Sequence, residues 1–319
     1  MREISSPAGQ FAVHIVRRLH EAGFRAVFAG GCVRDWLLGR EPKDYDVATA
    51  AHPQQVRRLF PHSLDIGAAF GVICVLGGRP APDKPPVQVE VATFRRDAGY
   101  ADGRHPDRVE YADEVEDVKR RDFTVNGLLY DPLKDEVLDY VGGRKDLSGR
   151  SIRAIGDPSR RFREDRLRML RAPRFAASLD FKIDALTASA IRKEAPHIHD
   201  VSTERIREEL SKMLTGPHPR HALELLKSLR LLKEVLPEVD ALVGVEQPPR
   251  FHPEGDVWVH TLLLLKGLDH ANVTLALAAL LHDVGKPRTF VRAHDRIRFN
   301  EHEKVGAAMA EEILRRLAA

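Results

Sequence analysis

Asp44 and Asp46 are separated by one residue and follow the stretch Gly30-Gly31-Cys32-Val33-Arg34-Asp35. In an extended segment alternate residues share a face, so both carboxylates would point one way and Tyr45 the other. Paired carboxylates suit hard divalent cations. Glycines ahead of them let the backbone approach a ligand closely, and Arg34 adds positive charge suited to a phosphate. The combination reads as a site for a nucleoside triphosphate and divalent cations. Two cations on shared carboxylates activate an attacking hydroxyl and neutralise the oxygens of departing pyrophosphate. Magnesium keeps several waters, so two or three carboxylates suffice. Glu90, in the middle of the β-branched run Val87–Phe94, is the expected third.

These residues need a scaffold. Ser6-Pro7 opens a segment in which Phe11, Ala12, Ile15, Val16 and Leu19 recur at helical spacing, closed by Gly23. Arg25–Ala29 reads as a strand, Gly31–Leu38 as a helix, Asp44–Ala48 as a strand and Pro53–Leu59 as a helix. Gly71–Leu76 and Val87–Phe94 read as strands joined by the Pro-rich turn Ala81–Pro86. Arg96–Glu110 carries Gly99, Gly103 and Pro106 among charges and reads as a mobile loop. Asp113–Tyr130 is expected to be one helix and Glu136–Tyr140 a last strand. Beyond Gly149 only Arg296–Phe299 has a strand pattern. The fold class is therefore α+β: an α/β head over 1–149, then an all-helical remainder.

The bulk properties narrow the partners. At 319 residues the chain is expected to hold more than one domain. Its net charge is only +3, so nucleic-acid binding would need local clustering. Residues 150–174 supply such a cluster, with nine arginines against Asp157, Glu164 and Asp165. Two cysteines, Cys32 and Cys74, make no disulfide framework and suit a reducing, cytoplasmic setting. The polar start gives no sign of a signal peptide, and no apolar run is long enough for a membrane span. Gln247-Pro248-Pro249 marks a second linker, dividing the helical remainder into 150–247 and 248–319. The final stretch Glu301–Ala319 reads as an amphipathic helix that simply stops, as a chain cut inside a larger domain would.

Ala29–Gly39 followed by Asp44-Tyr45-Asp46 resembles the head of class II tRNA nucleotidyltransferases and bacterial poly(A) polymerases. Arg120-Arg121-Asp122-Phe123-Thr124-Val125-Asn126 and Glu164-Asp165-x-x-Arg168, with Arg171 and Arg174 after it, match two further motifs in the same order. The resemblance implies a polymerase-β-like nucleotidyltransferase head whose Asp44 and Asp46 hold Mg2+. It also implies that Gly30, Gly31, Arg34, Arg120, Arg121 and Asn126 hold the triphosphate and sugar. Asp122 is expected to orient the arginines. Gly127 departs from the family's usual alanine; glycine costs about 1 kcal/mol of helix propensity, so the helix would end early or pack unusually closely there.

Asp165 and Arg168 are three apart and would share a helix face, with Arg171 continuing the row. Cytosine and adenine each offer an amino donor beside a ring-nitrogen acceptor, which a carboxylate and a guanidinium match. Uracil and guanine reverse that order and leave charges unpaired, a penalty on the order of 10⁴ in selectivity. The resemblance gives this pair the task of choosing C and A without a nucleic-acid template. Pro173 is expected to kink or end the helix near Ala172, placing Arg174 off the row. The loop with Tyr100, Asp102, Gly103, Arg104 and Pro106 resembles the family's flexible loop and favours an enzyme that adds A as well as C. The other arginines of 150–174 are expected to meet RNA phosphates or to lie solvated on the helix. The implied partners are a tRNA 3′ end, CTP and ATP.

His260, then His282-Asp283, then His302 resemble the ligand order of the HD phosphohydrolase superfamily. That implies a second divalent-metal site in a partial HD-type helical domain. The superfamily's last ligand is an aspartate further downstream, and residues 303–319 contain none, so the site is expected to be incomplete. Two other functions stay open at this point. One is a poly(A) polymerase or A-adding enzyme using the same machinery. The other is an HD-type phosphohydrolase with an RNA-binding head.

Overall fold

The computed structural model describes residues 4–67, 71–79, 83, 85–98, 108–294 and 296–318. The chain divides into two compact units, Met1–Asp157 and Pro158–Ala319. The loop residues Tyr100, Asp102, Gly103, Arg104 and Pro106 lie outside the described residues, as does part of the Pro-rich turn.

The first unit is built on a seven-stranded sheet. In chain order the strands are β1 (Ala26–Ala29), β2 (Asp46–Thr49), β3 (Ser63–Gly67), β4 (Val72–Leu76) and β5 (Gln88–Thr93). After the hairpin β6 (Arg95–Ala98) and β7 (Arg108–Tyr111) come β8 (Leu129–Asp131) and β9 (Glu136–Leu138). The sheet order is β3-β4-β5-β2-β1-β8-β9. The β2–β5 pair runs parallel, whereas β1 pairs antiparallel with both β2 and β8.

Helix α1 (Pro7–Glu21) starts where the sequence indicated: the Ser6 hydroxyl accepts from the Gly9 N–H, and Pro7 occupies the first turn. Its stripe of Ala12, Ile15, Val16 and Leu19 is fully buried. Val27, Ala29, Ala48, Phe94, Val118 and Leu129 form a further core cluster, with Leu138 and Val141 against it. Helices α2 (Gly31–Leu37) and α3 (Pro53–Leu59) complete the front of the head.

Two expectations fail here. Arg96–Glu110 is not loop throughout, since its ends pair as the β6–β7 hairpin. Asp113–Tyr130 is not one helix. It breaks into α4 (Glu114–Lys119), a 3₁₀ turn at Thr124–Asn126 and β8. The break follows from the side chains: Asp122 caps the Phe123 N–H at 2.7 Å and accepts from the Asn126 amide at 3.0 Å, competing with the helical ladder.

The second unit is largely helical. Helices α5 (Pro158–Glu164) and α6 (Arg168–Leu179) lead into α7 (Ala185–Glu194), α8 (Thr203–Leu214) and α9 (Pro219–Ser228). After two short turns come α10 (Val257–Gly267) and α11 (Val273–Leu281). A hairpin of Phe290–Arg292 and Ile297–Phe299 precedes the last helix, α12 (His302–Arg316). Pro173 does not end its helix, which continues six residues past it to Leu179 with Pro173 buried. The lost hydrogen bond is offset by the buried face of Met169, Leu170, Ala176 and Ala177.

Gly127 packs closely rather than serving helix geometry. A Cβ there would come 2.8 Å from Val141 Cγ2 and 3.2 Å from both Ile155 and Val118. Propensity alone would make Gly127→Ala stabilising, but overpacking opposes it by about 1–3 kcal/mol. The expected outcome is a lower urea midpoint with an unchanged slope; a raised midpoint would contradict the packing argument.

Candidate active site and metal centre

The parallel register of β2 and β5 sets Asp46 opposite Glu90. Paired residues of neighbouring strands project to the same face of the sheet, so the two carboxylates are neighbours. Desolvation, then repulsion from Glu90, push the Asp46 carboxyl up to about 6; Arg121 opposes the shift and Asp44 adds a smaller upward push. Asp44 itself is not on the strand. It occupies a bend before β2, so simple alternation does not fix its direction. Tyr45 is buried, with its hydroxyl near Ser6 and Glu41. Among the described residues the three carboxylates do not close into one tight ligand cluster. Their mutual repulsion is nonetheless what a divalent cation relieves, so the donor set fits one.

Around the acids stands a cradle of donors. Gly30 has φ +76° and forms the N-cap of α2, a backbone shape that favours glycine. A Cβ at Gly30 would come 2.9 Å from Arg121 Nη1, so the missing side chain is what lets that guanidinium approach. Arg34 is buried, donating to Asn126 Oδ1 at 2.6 Å and to Asp35 at 2.8 Å. Asp117 holds both arginines of the second motif, at 2.7 Å to Arg120 and 3.0 Å to Arg121. Despite its burial, the two guanidinium partners keep the Asp117 carboxyl below its ordinary range. Asp117 thus holds the two arginines of the motif, and Asp122 accepts from the Asn126 side chain. Sequence reasoning missed Asp117; its signal was its i,i+3 and i,i+4 spacing to Arg120 and Arg121. Arg121 Nε is buried with no hydrogen-bond partner. A buried cationic donor left open beside a glycine turn is what an anionic ligand would satisfy.

In the second unit Asp165 and Arg168 do not share a helix. Asp165 sits in the break between α5 and α6, where its Oδ1 accepts from the Leu167 N–H at 3.1 Å. Their side chains are not paired to each other, although the Arg168 N–H donates to the Asp165 carbonyl at 3.1 Å. Asp165 takes Arg205 Nη2 at 3.3 Å on both oxygens, whereas Arg168 donates to Glu164 at 3.2 Å and to the Arg161 carbonyl at 3.1 Å. Arg205, on α8, was not visible as a site residue because it is distant in sequence and unremarkable in spacing. Arg171 and Arg174 both lie over the Phe175 ring, at 5.3 and 4.0 Å, and Arg174 also pairs with buried Glu209.

The arginine-rich stretch is therefore mostly internal wiring. Arg153 pairs with Asp146, Arg161 with Glu164, and Arg166 with Glu194 and Asp200. Arg160 and Arg163 keep exposed side chains.

The histidines of the tail do converge. The ligand atoms of His260, His282 and Asp283 lie within 4.8 Å of one another. His302 Nε2 is 3.7 Å from Asp283 Oδ1. Each of the three rings has its Nδ1 anchored: His260 by Glu254 at 2.7 Å, His282 by the Ala279 carbonyl at 2.9 Å and His302 by the Phe299 carbonyl at 2.9 Å. Anchoring Nδ1 leaves Nε2 as the ligating nitrogen, the arrangement that metal sites use. Gly285 lets this happen, since a Cβ there would come 2.2 Å from the His302 carbonyl. Asp283, flanked by His282 and Lys286, is held well below the usual carboxylate range despite its burial. Sequence reasoning missed Glu254 and His252, which form a second His–Glu–His group with His260.

Comparison with known proteins identifies relatives of the chain. Three family models cover the chain in order: a poly A polymerase head domain over 26–153, a probable RNA and SrmB-binding site of polymerase A over 180–243, and an HD domain over 256–319. A CCA-adding enzyme of Lactobacillus helveticus is 40% identical over 80% of this chain and 63% of its own length. One of Bacillus pumilus is 39% identical over 83% of this chain and 66% of its own. The chain thus spans under two thirds of the length of these curated relatives. The crystal structure of the Bacillus stearothermophilus CCA-adding enzyme in complex with CTP superimposes with a TM-score of 0.62 at 30% identity, covering 98% of this chain and 83% of that one. A tRNA nucleotidyltransferase complexed with a primer tRNA and an incoming ATP analogue gives 0.57 at 27% identity, covering 79% and 74%. From its head fold, its motif order and these likenesses, the chain belongs to the family of CCA-adding enzymes and bacterial poly(A) polymerases.

Proposed function

We propose that the chain carries template-independent nucleotidyl transfer to tRNA 3′ ends, adding C and A from CTP and ATP. The observation that carries this reading is the Asp46–Glu90 register beside the Gly30–Arg34–Arg121 cradle, which sets acidic and cationic groups side by side. Asp44 and Asp46, with Glu90, would hold divalent cations such as Mg2+, which supply charge neutralisation and a more acidic attacking hydroxyl. Gly30 and Gly31 give the triphosphate room. Arg34, Arg120 and Arg121 bind its oxygens, with Asp117 and Asn126 keeping the guanidinium groups aimed.

Base choice falls to Asp165 and Arg168, with Arg171 and Arg174 beside them. Each polar group arrives already held, Asp165 by Arg205 and the Leu167 N–H, Arg168 by Glu164. A preset carboxylate can still accept from a base amine, because its oxygens offer about four lone-pair sites. Preorganisation of this kind raises discrimination, since the wrong base leaves fixed charges unmatched.

The test uses three tRNAs: one lacking the whole CCA end, one lacking its last two nucleotides and one lacking only the final A. CTP and ATP are supplied separately. Two Cs and one A should be added. Addition of A to the last substrate alone, or long A tails, would instead select an A-adding enzyme or poly(A) polymerase. Asp44→Asn should slow addition by about 10²–10³ while leaving CTP binding near normal. Asp165→Ala should erode the preference for C and A over U and G by more than it slows the correct addition; an unchanged preference would refute the templating role.

The converged histidines favour a second activity-bearing centre, in which His260, His282, Asp283 and His302 hold a divalent metal for phosphoester hydrolysis. If they do, Mn2+ at about 100 times its Kd should stabilise the metal-stripped chain by roughly 2.7 kcal/mol, seen as a rise in Tm. His282→Ala should abolish that rise and lower metal content by elemental analysis. Equal stabilisation of wild type and variant would show that these residues hold no ion.

A further inference from the structure

A cavity of about 770 Å³ lies between the Pro-rich turn at Pro248 and the hairpin strand Ile297–Phe299. Arg250, Arg296 and Arg298 line it with Phe251, Phe299 and Asn300. Phe251 is 72% exposed, yet it is not loosely held. Its N–H and that of His252 both bond the Pro248 carbonyl at 3.0 Å, and the Arg250 guanidinium lies 5.8 Å from its ring. The opposite wall is fixed too: Arg292 on the hairpin pairs with Glu246 at 2.5 Å, tying the two walls together. The inner end is Phe299, whose ring lies 6.3 Å from that of His302 and 5.3 Å from Lys286 Nζ.

A volume of this size suits a small-molecule ligand. Guanidinium groups bind phosphate oxygens, and a presented aromatic ring stacks on a base of any identity. An acidic peptide would use the arginines but leave the rings idle. We infer that this cavity binds a nucleoside monophosphate unit, with Phe251 stacking on the base and Arg250, Arg296 and Arg298 taking the phosphate. The unit arrives either as a free nucleotide or as the terminus of single-stranded RNA. The cavity lies wholly within the second unit.

The test is binding to the whole chain, with a non-hydrolysable CTP analogue saturating the head. Fluorescence anisotropy of a labelled single-stranded RNA tetranucleotide is followed alongside competition by AMP, inorganic phosphate and polyglutamate. Phe251→Ala should weaken tetranucleotide binding about tenfold, whereas Phe251→Trp should preserve it. Arg250→Gln should weaken it and flatten its salt dependence. Competition by AMP as well as by RNA identifies free nucleotide as a source; competition by RNA alone identifies the terminus. A photo-cross-linked 5-bromouridine RNA should map to the peptide holding Phe251. An unaltered affinity in Phe251→Ala, failure of Phe251→Trp to retain binding, or polyglutamate competing as strongly as RNA would each overturn the assignment.

Discussion

Two carboxylates held on neighbouring parallel strands repel each other, and the head is organised around that repulsion. The β2–β5 register places Asp46 against Glu90, and partial desolvation with that repulsion makes the charge on Asp46 harder to sustain, although its side chain stays exposed. Arg121 offsets part of it from across the site. Arg121 is in turn held by Asp117, which is buried and could not remain ionised without its two arginines. The acids, exposed at the end of β2 and on β5, therefore stand beside a fixed positive arc. This asymmetric field, acids on the sheet and guanidinium groups on the neighbouring turn, is what a triphosphate and its cations complement.

The same logic shapes the start of the helical unit. An arginine-rich stretch of local charge +6 looks like an RNA-binding face, but most of its guanidinium groups are spent on buried or half-buried acids. Arg166, in the turn before α6, pairs with Glu194 at the end of α7, and Arg174 ties α6 to Glu209 on α8. The net result is rigidity around Asp165 and Arg168, which suits a fixed pattern of donors and acceptors. The exposed guanidinium groups of this stretch include Arg160 and Arg163.

In the tail, three histidines approach one aspartate although they come from three separate segments. The close approach of Gly285 to α12 brings His302 beside Asp283, and two backbone carbonyls and Glu254 set the ring tautomers. Such anchoring costs histidine side-chain freedom and has little value for packing alone. An incomplete ligand series in the sequence thus corresponds to a spatially coherent cluster, with Glu254 and His252 at its rim.

The sequence by itself determined the local elements whose signals are short-range. The α1 stripe, the Gly30 turn, the strands around Val47, Ile73 and Val91, and the helical character of the second half follow from periodicity and turn residues. The motif spacing also singled out Gly30, Asp46 and Arg121, which the fold brings near one another. Tertiary structure decided what those residues touch. Asp44 sits in a bend rather than on its strand, the segment 113–130 breaks where Asp122 bonds locally, and α6 runs through Pro173 because its buried face outweighs one lost hydrogen bond. Asp117, Arg205 and Glu254 took their places only through contacts across helix turns or distant segments. The reason is physical: backbone preference acts over a few residues, whereas the partner of a buried charge is set by whichever opposite charge the packed chain brings within reach.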